Sequence, residues 1–331
     1  MVTSLKVLIV FIFFVFTTSF QSRQLFADVK VQDSSIIKLA DPSIFYHDGI
    51  YYLYGTGGDV NNGFLVYTST DLKNWDGPKG KKNGYALTKG DVYGTQGFWA
   101  PQVFYYNNIF YMAYTANEHI AIAKSDSPLG PFKQEQIQAV SGEGKQIDPY
   151  VFFDDGKAYL YHVRLTEGNR IYVAELNSDL SDVKPASARF CLAATDQEWE
   201  NTAGSPWPVS EGPTVLKHNH LYYLFYSAND FRNKDYAVGY AVSKTPFGPW
   251  KKYQNNPIIS WRNIGINGTG HGDFFRNDKG ELLYVLHTHN SDSAVQPRLT
   301  GLIKAEFKSD SSGIDKVIID KESFHYLRIE K

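Results

Sequence analysis

One phrase is written five times along this chain. "LADPSIFYHDGIYYLYGTGG" (39–58) is followed by "WAPQVFYYNNIFYMAYTA" (99–116), "IDPYVFFDDGKAYLYH" (147–162), "EGPTVLKHNHLYYLFYSA" (211–228) and, more loosely, "HGDFFRNDKGELLYVLHTH" (271–289). Repetition at this scale constrains a fold strongly, because each copy is one structural unit that buries its surface against the next. Every copy has a short apolar run, a turn signal at Asp48-Gly49, Asn107-Asn108, Asp155-Gly156, Asn219 or Lys279-Gly280, and an aromatic run such as Tyr51-Tyr52-Leu53-Tyr54. That period and turn chemistry spell a β-hairpin.

A second phrase recurs behind several hairpins: "LVYTSTDLKNW", "IAIAKSDSPLGPF", "IYVAELNSDLSDV" and "VGYAVSKTPFGPW". It supplies a third strand, a turn rich in Ser, Asp, Pro and Gly, and room for a fourth strand. Four strands per unit at intervals of roughly 48 to 64 residues is the pattern of a propeller blade. The expectation is an all-β protein, a single five-bladed β-propeller over residues 30–331 with no appended domain. A β-sandwich fits the strand content but does not explain five copies of one phrase.

The N-terminus has a different character. "MVTSLKVLIVFIFFVFTTSF" sets Lys6 before an apolar stretch from Val7 to Phe16, then Thr17, Thr18 and Ser19. This reads as a secretory signal peptide over residues 1–22, too short for a comfortable membrane span. The expected location is secreted or periplasmic, with no membrane association once the signal is removed. Cys191 is the only cysteine, so no internal disulfide is available and the apolar core must hold the fold, 43% of the 331 residues being hydrophobic. A net charge of −2 with both signs scattered gives no basic stripe for nucleic acid. A neutral partner is expected, and the oligomeric state is not legible.

Aligning the copies on their Asp-Pro pairs and the matching dipeptides gives two columns. One holds Asp41, Ala100, Asp148, Gly212 and Gly272; the column before it holds Ala40, Trp99, Ile147, Glu211 and His271. In a propeller the first strand of each blade lies nearest the axis, so these positions converge at one mouth of the central channel. Three carboxylates, Asp41, Asp148 and Glu211, are thereby gathered with Trp99 and His271. Grouped like charges raise one another's pKa and cost stability, which marks a site. Asp-Pro is also a common turn opener, but Ala100 and Gly272 show that the blade itself needs no acid there.

"ADPSIFY", "IDPYVFF", "EGPTVLK" and "FWAPQV", with the "STDLKNW" and "SDSPLGPF" turns, resemble glycoside hydrolase family 43 over about residues 37–308. The resemblance implies a five-bladed propeller that hydrolyses arabinofuranosyl, xylosyl or related links with inversion, in plant-type polysaccharides or oligosaccharides. It implies Asp41 as general base, Glu211 as general acid, and Asp148 as the residue that tunes and orients that acid. Trp99, His287 and Arg298 become expected substrate-binding residues, and His271 an expected holder of a calcium ion, with no other cofactor required. A non-catalytic carbohydrate-binding propeller is the alternative, as is a retaining fructosidase. The Ala40-Asp41-Pro42-Ser43 sequence departs from the fructosidase pattern, in which Asn precedes Asp-Pro-Asn-Gly. Exo action is expected, with residues 76–97 and 193–210 as the longest segments able to wall the pocket, and the sugar released is left open.

Overall fold

The computed structural model describes residues 35–310 and 313–330; the expected signal segment lies outside them. Five antiparallel sheets follow one another along the chain, one per copy of the repeated phrase. Blade 1 is built from Ala40–His47, Ile50–Thr56 and Tyr67–Ser69. Blade 2 is built from Trp99–Tyr106, Ile109–Ala116 and His119–Ser125. Blade 3 has Gln146–Asp154, Lys157–Leu165, Asn169–Glu175 and Arg189–Ala193. Blade 4 has Ser210–His218, Leu221–Ala228, Ala237–Ser243 and Lys251–Lys252. Blade 5 has Gly270–Arg276, Leu282–Thr288, Leu299–Lys308 and Lys316–Tyr326. The fold is a five-bladed β-propeller.

The expected four strands per blade hold for blades 3 to 5. In blades 1 and 2 the main sheet has three, and the outer position is taken by short bridges, Thr68 with Asp76 and Lys124 with Lys133. The turns behave as their residues dictate. Asp48-Gly49, Asn107-Asn108, Asp155-Gly156 and Asn219-His220 all have positive φ at both positions, between 45° and 80°, the requirement of a two-residue type I′ hairpin. The fifth hairpin takes a longer loop between Arg276 and Leu282.

The aromatic runs have a physical reason. Tyr51, Tyr52, Leu53 and Tyr54 are all buried although they alternate between the two faces of their strand, because each blade is packed between two others. Among the described residues the apolar core accordingly falls into five clusters, one for each junction between neighbouring blades. Fully burying such a side chain contributes roughly 1.5–3 kcal/mol. The phenols stay satisfied by reaching into the next blade: Tyr54 Oη donates to Pro128 O at 2.5 Å and Tyr161 Oη to Pro246 O at 2.5 Å. Cys191 is buried at the junction of blades 3 and 4. No helix among the described residues is long and apolar enough to cross a membrane.

Both ends of the described chain close the ring. Ile37 N–H donates to Leu327 O, Leu327 N–H to Thr300 O, and Thr300 N–H to Ile37 O, each at 3.0 Å. Arg328–Ile329 then pairs in parallel with Asn74–Trp75 at the rim of blade 1. The last residues thereby tie blade 5 to blade 1.

The first strand of every blade carries the same bulge, between Ala40 and Ser43, Trp99 and Gln102, Ile147 and Tyr150, Glu211 and Thr214, and Gly270 and Asp273. The residue inside each bulge has positive φ: Asp41 48°, Ala100 47°, Asp148 57°, Gly212 59° and His271 38°. This corrects the alignment of the last blade by one position. His271 stands in the column of Asp41 and Asp148, and Gly270 in that of Glu211. The sequence misleads because Gly272-Asp273 imitates the dipeptides of the other copies. Ala100 has no chemistry to offer and shares the conformation, so the backbone strain belongs to the propeller rather than to catalysis.

The bulges are stitched from blade to blade. In blades 1, 2 and 4 a hydroxyl opposite the bulge accepts the bulged N–H of the next blade: Ala100 N–H to Thr56 Oγ1 at 3.0 Å, Asp148 N–H to Thr115 Oγ1 at 2.9 Å, His271 N–H to Ser227 Oγ at 2.8 Å. Blade 5 uses a ring nitrogen instead, with Asp41 N–H donating to His287 Nδ1 at 3.1 Å. Blade 3 has Val163 at this register, opposite Ile147, and offers no acceptor. There the Gly212 N–H donates to Asp148 Oδ2 at 3.1 Å.

Candidate active site

The bulges end at the mouth of the central channel, and a cavity of about 520 Å³ opens there, lined among others by Asp41, Asp148, Glu211, Trp99, His271 and Arg298. Its size lies within the range of about 300–1,000 Å³ usual for small-molecule sites. Below it the axis is nearly filled. Ser43 Oγ donates to Pro101 O, Gln102 Nε2 to Val151 O and Thr214 Oγ1 to Asp273 Oδ1, each crossing to the next blade. A space of about 30 Å³, lined by Ser43, Gln102, Tyr150 and Asp273 among others, remains there.

The three carboxyls, brought together from blades 1, 3 and 4, have unlike surroundings. Asp41 is buried, which by itself raises a carboxyl's pKa, but Arg298 Nη1 donates to its Oδ1 at 3.0 Å and Thr56 Oγ1 to its Oδ2 at 2.6 Å. The Arg298 guanidinium, aided by His271 and His287, outweighs burial and holds Asp41 well below the usual carboxylate range. Asp41 is ionised throughout the physiological range.

Asp148 and Glu211 go the other way. Burial first, then the Glu211 and Asp41 charges, push Asp148 well above its ordinary value. Burial, with repulsion from Asp41, raises Glu211 to about 7 against the pull of Tyr236. Tyr236 Oη donates to Glu211 Oε1 at 2.8 Å and Asn169 Nδ2 to Oε2 at 3.0 Å. The two carboxyls titrate as a pair that retains a proton near neutrality. Carboxyls whose environments push their pKa values apart are equipped for one acid and one base.

The remaining expected residues are also at the site. His287 is fully buried behind Asp41; burial and the Arg298 charge lower its pKa to about 3, so it is neutral. Arg298 lies with its guanidinium carbon 4.5 Å from the Phe231 ring centroid. Its Nε has no partner among the described residues. Trp99 is half-buried in the wall, with Gly97 against its indole, where an added Cβ would stand 3.1 Å from the ring. His271 Nδ1 lies 3.4 Å from Asp41 Oδ1 and 3.8 Å from Asp148 Oδ2, and burial lowers its pKa.

Four contributors carry no signal in the repeated phrases. Asn169 opens the third strand of blade 3, and Tyr236 immediately precedes that of blade 4. Trp207 and Phe231 come from loops. A flat ring at Tyr236 is allowed because Gly270 has no side chain, since a Cβ there would meet the ring at 2.4 Å. The wall also differs in part from expectation. Trp207 and Val209 from the segment 193–210 line the cavity, but no residue of 76–97 does. That segment pairs Tyr85–Thr88 with Gly63–Leu65 instead. Val60, Glu118, Asp230, Phe231, Arg232 and Gln296 also line the cavity.

The donor set does not make a cage for calcium, which takes six to eight oxygen ligands. His271 offers nitrogen directed at two carboxylates, and among the described residues no group of three His, Cys, Asp or Glu side chains is arranged to hold a metal ion.

Comparison with known proteins places this arrangement. Residues 35–312 match the family model described as glycosyl hydrolases family 43. The chain is 28% identical over 233 residues to the extracellular endo-alpha-(1->5)-L-arabinanase 1 of Bacillus subtilis, covering 64% of this chain and 67% of that protein. It is 29% identical over 265 residues to a xylosidase/arabinosidase of Butyrivibrio fibrisolvens, covering 74% of this chain but 48%, about half, of that protein. A solved structure described as an endo-1,4-beta-xylanase of Bacteroides thetaiotaomicron superposes with a TM-score of 0.81 at 42% identity, over 89% of this chain and 98% of that one.

Proposed function

Because this chain belongs to glycosyl hydrolases family 43, and is thus a glycoside hydrolase, we propose that it releases arabinofuranosyl or xylosyl residues from the ends of plant-type oligosaccharides or polysaccharides, with inversion. The observation that carries this reading is the division of its buried carboxyls, with Asp41 held ionised by Arg298 and Glu211 retaining its proton to about 7. Inverting hydrolysis needs that pair: one acid to protonate the leaving oxygen and one carboxylate to activate water on the opposite face of the sugar. Asp41 is the base. Its charge stays available because Arg298 donates to one oxygen and Thr56 to the other.

Glu211 is the acid, and Asp148 tunes it. As Glu211 gives up its proton, the carboxylate that forms is met by two donors already in place, Tyr236 Oη and Asn169 Nδ2. Stabilising charge where it develops, with groups that need not reorganise, is how such a site lowers a barrier. Trp99 offers an indole face to the sugar and Arg298 its remaining N–H groups.

Exo action is supported by the wall, to which all five blades or their loops contribute. A propeller that only binds sugar has no use for the contrast between Asp41 and Glu211. The test is release of sugar from aryl glycosides and plant polysaccharides, with the first anomer followed by NMR. Inverted product from chain ends is expected; retained configuration or a trapped glycosyl-enzyme would overturn the assignment of Asp41.

A further inference from the structure

The wall of the catalytic cavity has one feature that the hydrolysis itself does not explain. Seven large apolar side chains are exposed among the described residues, and Trp207, at 46%, is the one among them that lines this cavity. It is not a loose surface residue. Its N–H donates to Ser205 Oγ at 3.1 Å, and Asn201 Oδ1 accepts the Ser205 N–H at 2.9 Å. The loop is anchored beneath by Glu200, fully buried, which accepts from Tyr226 Oη at 2.5 Å and from Lys252 Nζ. An indole held in place at the wall of a cavity lined by three carboxyls offers a flat apolar face to whatever enters it.

The position of Trp207 says which part of a substrate it meets. Its indole Nε1 donates to Asn169 Oδ1 at 2.9 Å, and the same Asn169 donates through Nδ2 to Glu211 Oε2 at 3.0 Å. Trp207 is therefore one side chain away from the acid. The base lies elsewhere, its carboxylate held by Arg298 and Thr56. A proton from Glu211 goes to the leaving oxygen, so whatever is bonded to that oxygen lies on the Trp207 side.

We propose that Trp207 is the floor of a leaving-group subsite for a pyranose, whose C–H face packs on the indole while its glycosidic oxygen meets Glu211. A pyranose suits the position because its ring carbons present a broad apolar face, and an amphipathic indole with its N–H already satisfied by Asn169 presents the complement. The leaving side is thus a pyranosyl backbone or oligosaccharide such as xylan. Asn169 links the two events: the residue that fixes the indole also holds the acid. This inference rests on the glycosidase reading.

The test compares two substrates of the same glycosyl group, a xylo-oligosaccharide-type substrate with a pyranose leaving group and the glycosyl fluoride, whose leaving group has no ring. Trp207→Ala should lower kcat/KM on the first by about tenfold, one step of 1.4 kcal/mol, and on the fluoride by less than about threefold. Trp207→Phe keeps a stacking face without the indole N–H and should restore most of the loss. Equal losses on both substrates would overturn the proposal, because the loss would then not depend on a leaving ring; a loss confined to the first substrate that Trp207→Phe does not restore would overturn it too, because Trp207 would then act only by holding Asn169 and Glu211. An unchanged oligosaccharide rate would overturn it as well. Xylotriose titrated calorimetrically into Glu211→Gln, with and without Trp207→Ala, separates the two readings: tighter binding when Trp207 is present stands even if the wild-type protein releases no sugar, and equal binding sinks the subsite alone.

Discussion

Gly212 N–H donates to Asp148 Oδ2 across 3.1 Å, joining the residue that follows Glu211 to a second carboxyl of the site. In three other blades the corresponding N–H is taken by a hydroxyl and in blade 1 by His287; here Val163 leaves it free for Asp148. Position 212 also has to be glycine. Its φ is 59°, and a Cβ would stand 2.7 Å from the His271 ring. A donor aimed at a carboxylate favours its charged form, so this bond opposes the burial and the Glu211 charge that raise Asp148 and favours the proton on Glu211, where the proposed acid role needs it.

Val163→Thr should restore the missing hydroxyl with almost no change of volume. If the introduced hydroxyl takes the Gly212 N–H, the shared proton moves towards Asp148 and the productive form becomes scarcer. A hydrogen bond to a charged group is worth roughly 1.5–3 kcal/mol, so kcat/KM on substrates with poor leaving groups should fall about tenfold, with little change on activated aryl glycosides. Steady-state kinetics on both classes checks this. Equal losses on both would point to simple damage of the fold.

Glu211→Gln should nearly abolish cleavage of poor leaving groups, by about a hundredfold or more, and lose far less on activated aryl glycosides, whose departure needs little protonation. Asp41→Asn should be severe on both, since water needs the base whatever departs. A Brønsted series over leaving-group pKa would show a steep slope for the first variant alone.

Tyr236→Phe removes a donor that favours the ionised form of Glu211. The acid's pKa should rise, and the alkaline limb of the kcat/KM profile, set by Glu211 at about 7, should move to higher pH by up to about one unit, equivalent to 1.36 kcal/mol. The maximal kcat should fall, because the carboxylate formed on proton transfer loses its partner. A limb that stays in place would mean that Tyr236 only packs.

Stability should also depend on this acid. A carboxyl whose pKa is raised on folding lends stability below its unfolded value and loses it as pH rises through the folded one. For Glu211 that window runs from the ordinary 4.5 to about 7. Glu211→Gln should therefore be more stable than the parent above that window, by about 3 kcal/mol, with the advantage shrinking as the pH falls towards 4.5. Urea denaturation at acid and alkaline pH measures it.

The repeated phrase was enough to set the architecture, because strand period and turn residues are local: Asp48-Gly49 must turn in a type I′ hairpin, and five such units must pack on one another. It also sufficed to bring Asp41, Asp148 and Glu211 to one mouth, since equivalent positions of a propeller converge. What repeats does not report is what crosses between units. His271 fell into the wrong column because register is decided by bulge geometry, which Gly272-Asp273 counterfeits. Asn169, Tyr236 and Trp207 lie outside the repeated hairpins and follow no common pattern. The unlike fates of the carboxyls were decided by tertiary structure alone: Arg298 reaches Asp41 from 257 residues away, and electrostatic energy follows distance and burial in space, neither of which a strand pattern records.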